Sequence, residues 1–214
     1  MWPLKLNQVR RLQLEITSFC NANCPSCERA KYITLPEFVY KKQLNSIEIS
    51  LENLKKWLPL DKFDSLMHIH LCGNIDEPTL HPELFDICKW LEDSLPEHVW
   101  IHISTNGGTR DKKFWKKMAS LNRTLIIFGI DGLEDTNHIY RKNVRWKKLK
   151  ENYTTYITHG GIASWQFIMF EHNKHQEDIA RNRSKQEGFV SFNTVYSTRE
   201  NYEVKEVKKE REKN

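Results

Sequence analysis

Six apolar runs of strand length recur along the chain, and helix-like segments separate them. The runs are Arg11–Thr17, Leu66–Cys72, Trp100–Thr105, Thr124–Asp131, Trp165–Phe170 and Phe189–Val195. Five connectors read as helices. Ser50 caps Leu51–Leu58, and His81–Leu95 carries Leu84, Ile87, Cys88 and Leu91 on one face. Asp111–Leu121 and Asn173–Gln186 are further candidates, and Trp146–His159 ends at the Gly160-Gly161 stop. A capping Asn173 stands where the last helix should begin. Strand–helix alternation of this kind predicts an α/β fold with a parallel sheet and right-handed crossovers. Six βα units in 214 residues fall short of the eight that close a TIM barrel, so the expected architecture is an open partial (βα)6 barrel. Its site should lie at the C-terminal ends of the strands.

The polar residues fall at those ends. Cys20, Cys24 and Cys27 follow the first run in the spacing Cys-x3-Cys-x2-Cys. The second runs into Cys72-Gly-Asn-Ile-Asp-Glu-Pro78, the third into Ser104-Thr-Asn-Gly-Gly108, and the fourth into Gly129-Ile-Asp-Gly132. One loop therefore supplies three thiolates and no local fourth ligand. A structural zinc site needs four, so a zinc reading requires a distant His. An iron–sulfur cubane on three cysteines instead leaves one iron open to another ligand.

Bulk properties narrow the class. Hydrophobic content of 39% with seven Trp and ten Phe argues for a folded core. Charges interrupt every apolar stretch, so no membrane span is expected, and the N-terminus lacks the apolar centre of a signal peptide. Five cysteines, three of them crowded together, make a poor disulfide framework and a good metal loop, which places the chain in a reducing cytoplasm. The net charge is +5, with basic clusters at Lys112-Lys113, Lys116-Lys117 and Arg141 to Lys150. These read as the wet faces of helices, with a nucleic-acid or other acidic partner left open. Residues 1–195 are expected to form one core domain and 196–214 a charged tail. The weakly patterned segment Glu28–Ser46 is expected to pack over the cysteine loop.

These motifs in this order resemble the radical S-adenosylmethionine (radical SAM) superfamily, over about residues 10 to 195. The branch most like it includes molybdenum-cofactor biosynthesis proteins and SPASM-type peptide-modifying enzymes, here without the cysteine-rich C-terminal extension. The resemblance implies that Cys20, Cys24 and Cys27 hold a [4Fe–4S] cluster whose fourth iron is chelated by S-adenosylmethionine (AdoMet). Gly73, Asn74, Asp76, Glu77 and Pro78 match the Gly-Glu-Pro motif that receives the AdoMet amino group, with Asp76 where a glycine is usual. Ser104 and Asn106 match the strand end that faces the ribose. Asp131 belongs to the Ser-Ile-Asp-Gly match, in which Gly129 replaces the serine. Arg141, twelve residues beyond Gly129, matches the arginine that takes the AdoMet carboxylate. The implied activity is reductive cleavage of AdoMet to a 5′-deoxyadenosyl radical that abstracts hydrogen from a substrate. A peptide or protein is slightly favoured as that substrate, and a flavodoxin or ferredoxin would donate the electron. The alternatives are an activase that makes a radical on a partner enzyme, and a noncatalytic metal- or cluster-binding protein with a basic nucleic-acid-facing surface.

Residue by residue, plainer roles compete. Glu77 could cap a helix, Arg141 could be a surface charge, and Ser104 and Asn106 could serve turn chemistry. Cys88 reads as core and Cys72 as structural, and two cysteines cannot supply a second cluster. His68, His70 and His102 read as strand filling, while Asn173, His175 and Gln176 are candidates for the pocket wall.

Overall fold

The computed structural model describes residues 5–29, 47–71 and 75–197. The chain runs β1 (Arg11–Leu14), α1 (Leu51–Trp57), β2 (His68–Leu71), α2 (Leu84–Ser94), β3 (Trp100–Thr105) and α3 (Lys112–Met118). It continues through β4 (Thr124–Gly129), α4 (Asn137–Tyr140), α5 (Trp146–Thr158), β5 (Ile162–Met169), α6 (Glu177–Gln186) and β6 (Ser191–Tyr196). The strands form one six-stranded sheet in sequential order, every neighbouring pair parallel. Among the described residues β1 and β6 do not pair, so the sheet stays open as expected. No helix among them is long and apolar enough to cross a membrane.

Strand alternation sorts the side chains by face. Ile69, Leu71, Ile101, Ile103, Ile126 and Phe128 are buried and join the core with Leu84, Ile87, Cys88 and Leu91 of α2. Residues of the opposite register, His68, His70, His102 and Ser104, are only half-buried. The His68 and His102 rings stack at 5.2 Å, and His70 Nε2 lies 2.8 Å from Ser104 Oγ. The strand histidines thus build a polar face opposite the helices.

Local chemistry sets the boundaries. Ser50 accepts from Asn53 N–H and opens α1, and Asp111 accepts from Phe114 N–H and opens α3. Gly160, at φ +92°, ends α5. β5 begins at Ile162, ahead of its apolar run, because Ala163 and Ser164 pair with Ile126 and Ile127 although neither is strongly apolar. The last helix has no side-chain cap. Asn173 Oδ1 accepts from Phe170 N–H (2.7 Å) and its Nδ2 donates to the Asp131 carbonyl (3.0 Å), so the residue latches the ends of β4 and β5 together. The four-residue α4 had no periodic signal.

Candidate functional site

The loop after β1 is tied down on every side. Cys27 N–H donates to Cys24 O across a turn with Pro25 at its first central position and Ser26 at φ +57°. Glu77 N–H donates to Phe19 O (2.8 Å), fixing the loop to the end of β2. Asn21 and Asn106 exchange side-chain amide bonds of 2.8 and 3.4 Å, fixing it to the end of β3. Asn23 N–H donates to Lys142 O (3.0 Å), fixing it to the segment after α4. Arg29 Nη1 donates to the carbonyls of Ser18 (2.8 Å) and Ile75 (2.6 Å). The four strand-end motifs therefore meet through this loop.

They enclose a cavity of about 230 Å³. Cys20, Cys24 and Cys27 line it, with Asp76 and Glu77 from beyond β2. Ser104 and Asn106 come from β3, and Gly129 and Arg141 from β4 and its connection. Asp131 lies behind Arg141 and is fully buried. Pro78 is buried as the first residue of a 3-10 turn and does not reach the wall. Gly73 and Asn74 fall outside the described residues, as do Cys72, residues 30–46 of the segment expected over the loop, and residues 198–214 of the tail. Asn173, Gln176 and the exposed His175 do not line the cavity.

The two acids of the second motif differ in their partners. Glu77 Oε1 accepts from Thr105 Oγ1 (2.5 Å), Thr79 Oγ1 (2.6 Å) and Thr79 N–H (3.3 Å), and Oε2 accepts from Asn106 N–H (2.7 Å). It caps the 3-10 turn and clamps the end of β2 to that of β3. Asp76 Oδ2 accepts from Thr17 N–H, but its buried Oδ1 has no partner among the described residues. Burial, with Glu15 and Glu77 nearby, pushes the Asp76 pKa up to about 8.

Arg141 Nε donates to Asp131 Oδ2 at 2.6 Å, and Asp131 Oδ1 accepts from Ile168 N–H at 2.8 Å. The guanidinium lies against Gly129: a Cβ there would fall 2.5 Å from Arg141 Nη2. The glycine in place of serine therefore makes room for the arginine. The positive charge of Arg141 opposes the burial that raises the pKa of the Cys24 thiol. Burial, helped by Glu77, pushes Cys20 up to about 12.

Several wall or loop residues carried no motif signal. Gln166 is the lone polar residue of its apolar run, and Ile127 and Ile168 supply the apolar part of the wall. Asn21, which sits between two of the cysteines, was marked only by its place there.

Comparisons with known proteins bear on the family and the fold. The pattern of the radical SAM superfamily matches residues 14–182. The tungsten-containing aldehyde ferredoxin oxidoreductase cofactor-modifying protein of Pyrococcus furiosus is 28% identical over 131 residues, which are 61% of this chain and 33% of that protein. Streptococcus suis SuiB bound to S-adenosylmethionine superposes with a TM-score of 0.70 at 12% identity, over 95% of this chain and 46% of that one. The anSMEcpe structure with bound AdoMet and a Cp18Cys peptide gives 0.63 at 17% identity, over 91% of this chain and 54% of that one. The chain thus spans about a third of the curated relative and about half of these structures. At such identities the structures speak to the fold, whose partial-barrel form they share. With the match to residues 14–182, the chain belongs to the radical SAM superfamily.

Proposed function

We propose that this chain is the catalytic core of a radical SAM enzyme in which Cys20, Cys24 and Cys27 hold a [4Fe–4S] cluster and AdoMet occupies the adjoining cavity. The observation that carries the reading is the sharing of one cavity by three thiols, a buried acid with one oxygen unpartnered among the described residues, and a paired arginine. The donor set fits. Among the described residues no three His, Cys, Asp or Glu side chains converge tightly enough for a single ion, and no histidine lines the cavity to close a zinc site. Three soft thiol donors spread around a wall suit a larger iron–sulfur guest.

When bound, the cluster and AdoMet supply reductive cleavage of AdoMet and hydrogen abstraction from a substrate. The protein groups bind and orient. Arg141 has Nε committed to Asp131, which leaves its Nη donors for the AdoMet carboxylate. Asp76 Oδ1 accepts from the ammonium, and Gly73 and Asn74 remain proposed contacts through their match to the same motif. Glu77 and Pro78 hold that segment in place. Ser104 and Asn106 face the ribose side, Asn106 also tying down the cysteine loop. The substrate enters along the polar face of the sheet, where His70, His102 and Gln166 offer hydrogen bonds to a peptide. The peptide-bound forms of SuiB and anSMEcpe favour that substrate class. A flavodoxin or ferredoxin supplies the electron, in a reducing cytoplasm.

Anaerobic reconstitution followed by AdoMet and dithionite tests this. 5′-Deoxyadenosine is the expected product, with deuterium transferred into it from a labelled substrate peptide. A colourless, zinc-loaded protein inert to AdoMet overturns the reading.

A further inference from the structure

The segment from Thr136 to Lys150 contains six Lys and Arg and no acid. The structure joins this basic run to the cysteine loop. Lys142 O accepts Asn23 N–H at 3.0 Å, and Asn23 directly precedes Cys24. Asn23, Lys142, Asn143, Arg145 and Lys147 are all exposed, while Cys24 is 8% exposed behind them. Nearby Glu151 is shared by Lys148 (3.1 Å) and Lys112 (3.9 Å), whereas Lys142, Arg145 and Lys147 form no ion pair among the described residues. The exposed part of the loop at Asn23 thus lies beside a run of positive charge that contains no acid. A hydrogen bond and one peptide unit separate that charge from a proposed cluster ligand.

We infer that the face formed by Asn23 and Lys142 to Lys147 docks an acidic one-electron donor protein. This rests on the cluster reading above. The donor is oxidised by one electron and the cluster reduced by one. Unpaired surface cations of one sign steer an acidic partner and set its orientation, and salt screens their effect. Nucleic acid fits this face less well. Tyr140 is buried and Trp146 turns toward Arg183 (5.5 Å), so the run presents no aromatic platform for bases.

The test compares the reconstituted wild type with Arg145→Glu/Lys147→Glu and with the control Lys56→Glu/Lys62→Glu. The control changes the same charge at exposed lysines before β2, toward the other end of the sheet. Lys147 lies in the first turn of α5, where a glutamate suits the helix dipole and folding is preserved. Binding of an acidic flavodoxin is measured by interferometry at low and high salt, beside 5′-deoxyadenosine formation driven by reduced flavodoxin or by dithionite. The first variant is expected to lose about tenfold or more in flavodoxin affinity at low salt, with most of that difference gone at high salt. Its flavodoxin-driven turnover falls while dithionite-driven turnover holds, and the control changes less than about twofold. Equal effects of the two variants, affinity independent of salt, or loss of oligonucleotide binding with flavodoxin binding intact would each overturn the docking face. A wild type inert even to dithionite refutes the cluster reading instead, and the binding arm still reports on the face.

Discussion

Gly129→Ala tests how closely the cavity is built around Arg141. A Cβ at Gly129 would stand 2.5 Å from Arg141 Nη2 and 3.1 Å from its Cζ, so the guanidinium must retreat by about 1 Å to reach ordinary contact. Its Nε is only 2.6 Å from Asp131 Oδ2, and a retreat of that size carries the pair beyond hydrogen-bonding distance. A charge-assisted bond to a fully buried carboxylate is lost, at about 2–3 kcal/mol. For a domain of this size that is a drop of roughly 4–12 °C in Tm. The backbone at Gly129 lies outside the left-handed region, so the cost comes from the side-chain contact alone. The assay is urea unfolding of the four proteins in a Gly129→Ala and Arg141→Ala double-mutant cycle. In the Arg141→Ala background the next neighbour of the new methyl is Thr105 O at 3.5 Å, an ordinary contact, so the substitution should cost nothing. A coupling of about 2 kcal/mol is expected. The same Gly129→Ala penalty in both backgrounds would refute the argument.

Four further outcomes follow from the same contacts. The folded protein holds a proton on Asp76 up to about pH 8, whereas the unfolded chain releases it near the ordinary value of 3.8. Stability should therefore fall as pH rises between those values, and Asp76→Asn should flatten the slope by a few kcal/mol, at about 1.4 per pH unit; identical pH profiles would contradict this. Glu77→Gln, which turns an amide NH₂ toward donors on Thr105, Thr79 or Asn106, should cost about 1–3 kcal/mol in urea unfolding, and an unchanged midpoint would exclude the clamp. Asn21→Ala removes the amide exchange with Asn106 and should speed iron release to a chelator several-fold, about 1 kcal/mol of barrier; equal release rates would show that the loop is held elsewhere. Cys24→Ala should yield a colourless protein after reconstitution, and brown, AdoMet-cleaving material would remove Cys24 from the ligand set.

The strands and their parallel pairing were legible because strand residues declare themselves locally. β3 runs from Trp100 to Thr105 as its apolar run predicts, and the polar strand ends converge because parallel strands share one C-terminal edge. Partner choice was not readable. Asn173 looks like a cap and serves as a latch, since its amide finds the Asp131 carbonyl only once β4 and β5 are side by side. Glu77 and Asp76 are adjacent and chemically alike, yet one is saturated by Thr79, Thr105 and Asn106 and the other keeps an oxygen unpartnered among the described residues. Only the packing of β2 against β3 separates them. The reason for a glycine at 129 lies in the packing of Arg141 against it, which the sequence does not display. The early start of β5 is not legible in the sequence because Ala163 and Ser164 draw their strand character from pairing with β4, and Ser164 from β6 as well.

In the proposed site three cysteines leave one iron open and AdoMet fills it. The direct measurement is the electron paramagnetic resonance spectrum of the dithionite-reduced, reconstituted protein before and after AdoMet is added. A cluster signal that changes shape on addition of AdoMet, in wild type and not in Cys24→Ala, is the predicted result. A signal indifferent to AdoMet, or no cluster signal at all, would contradict it.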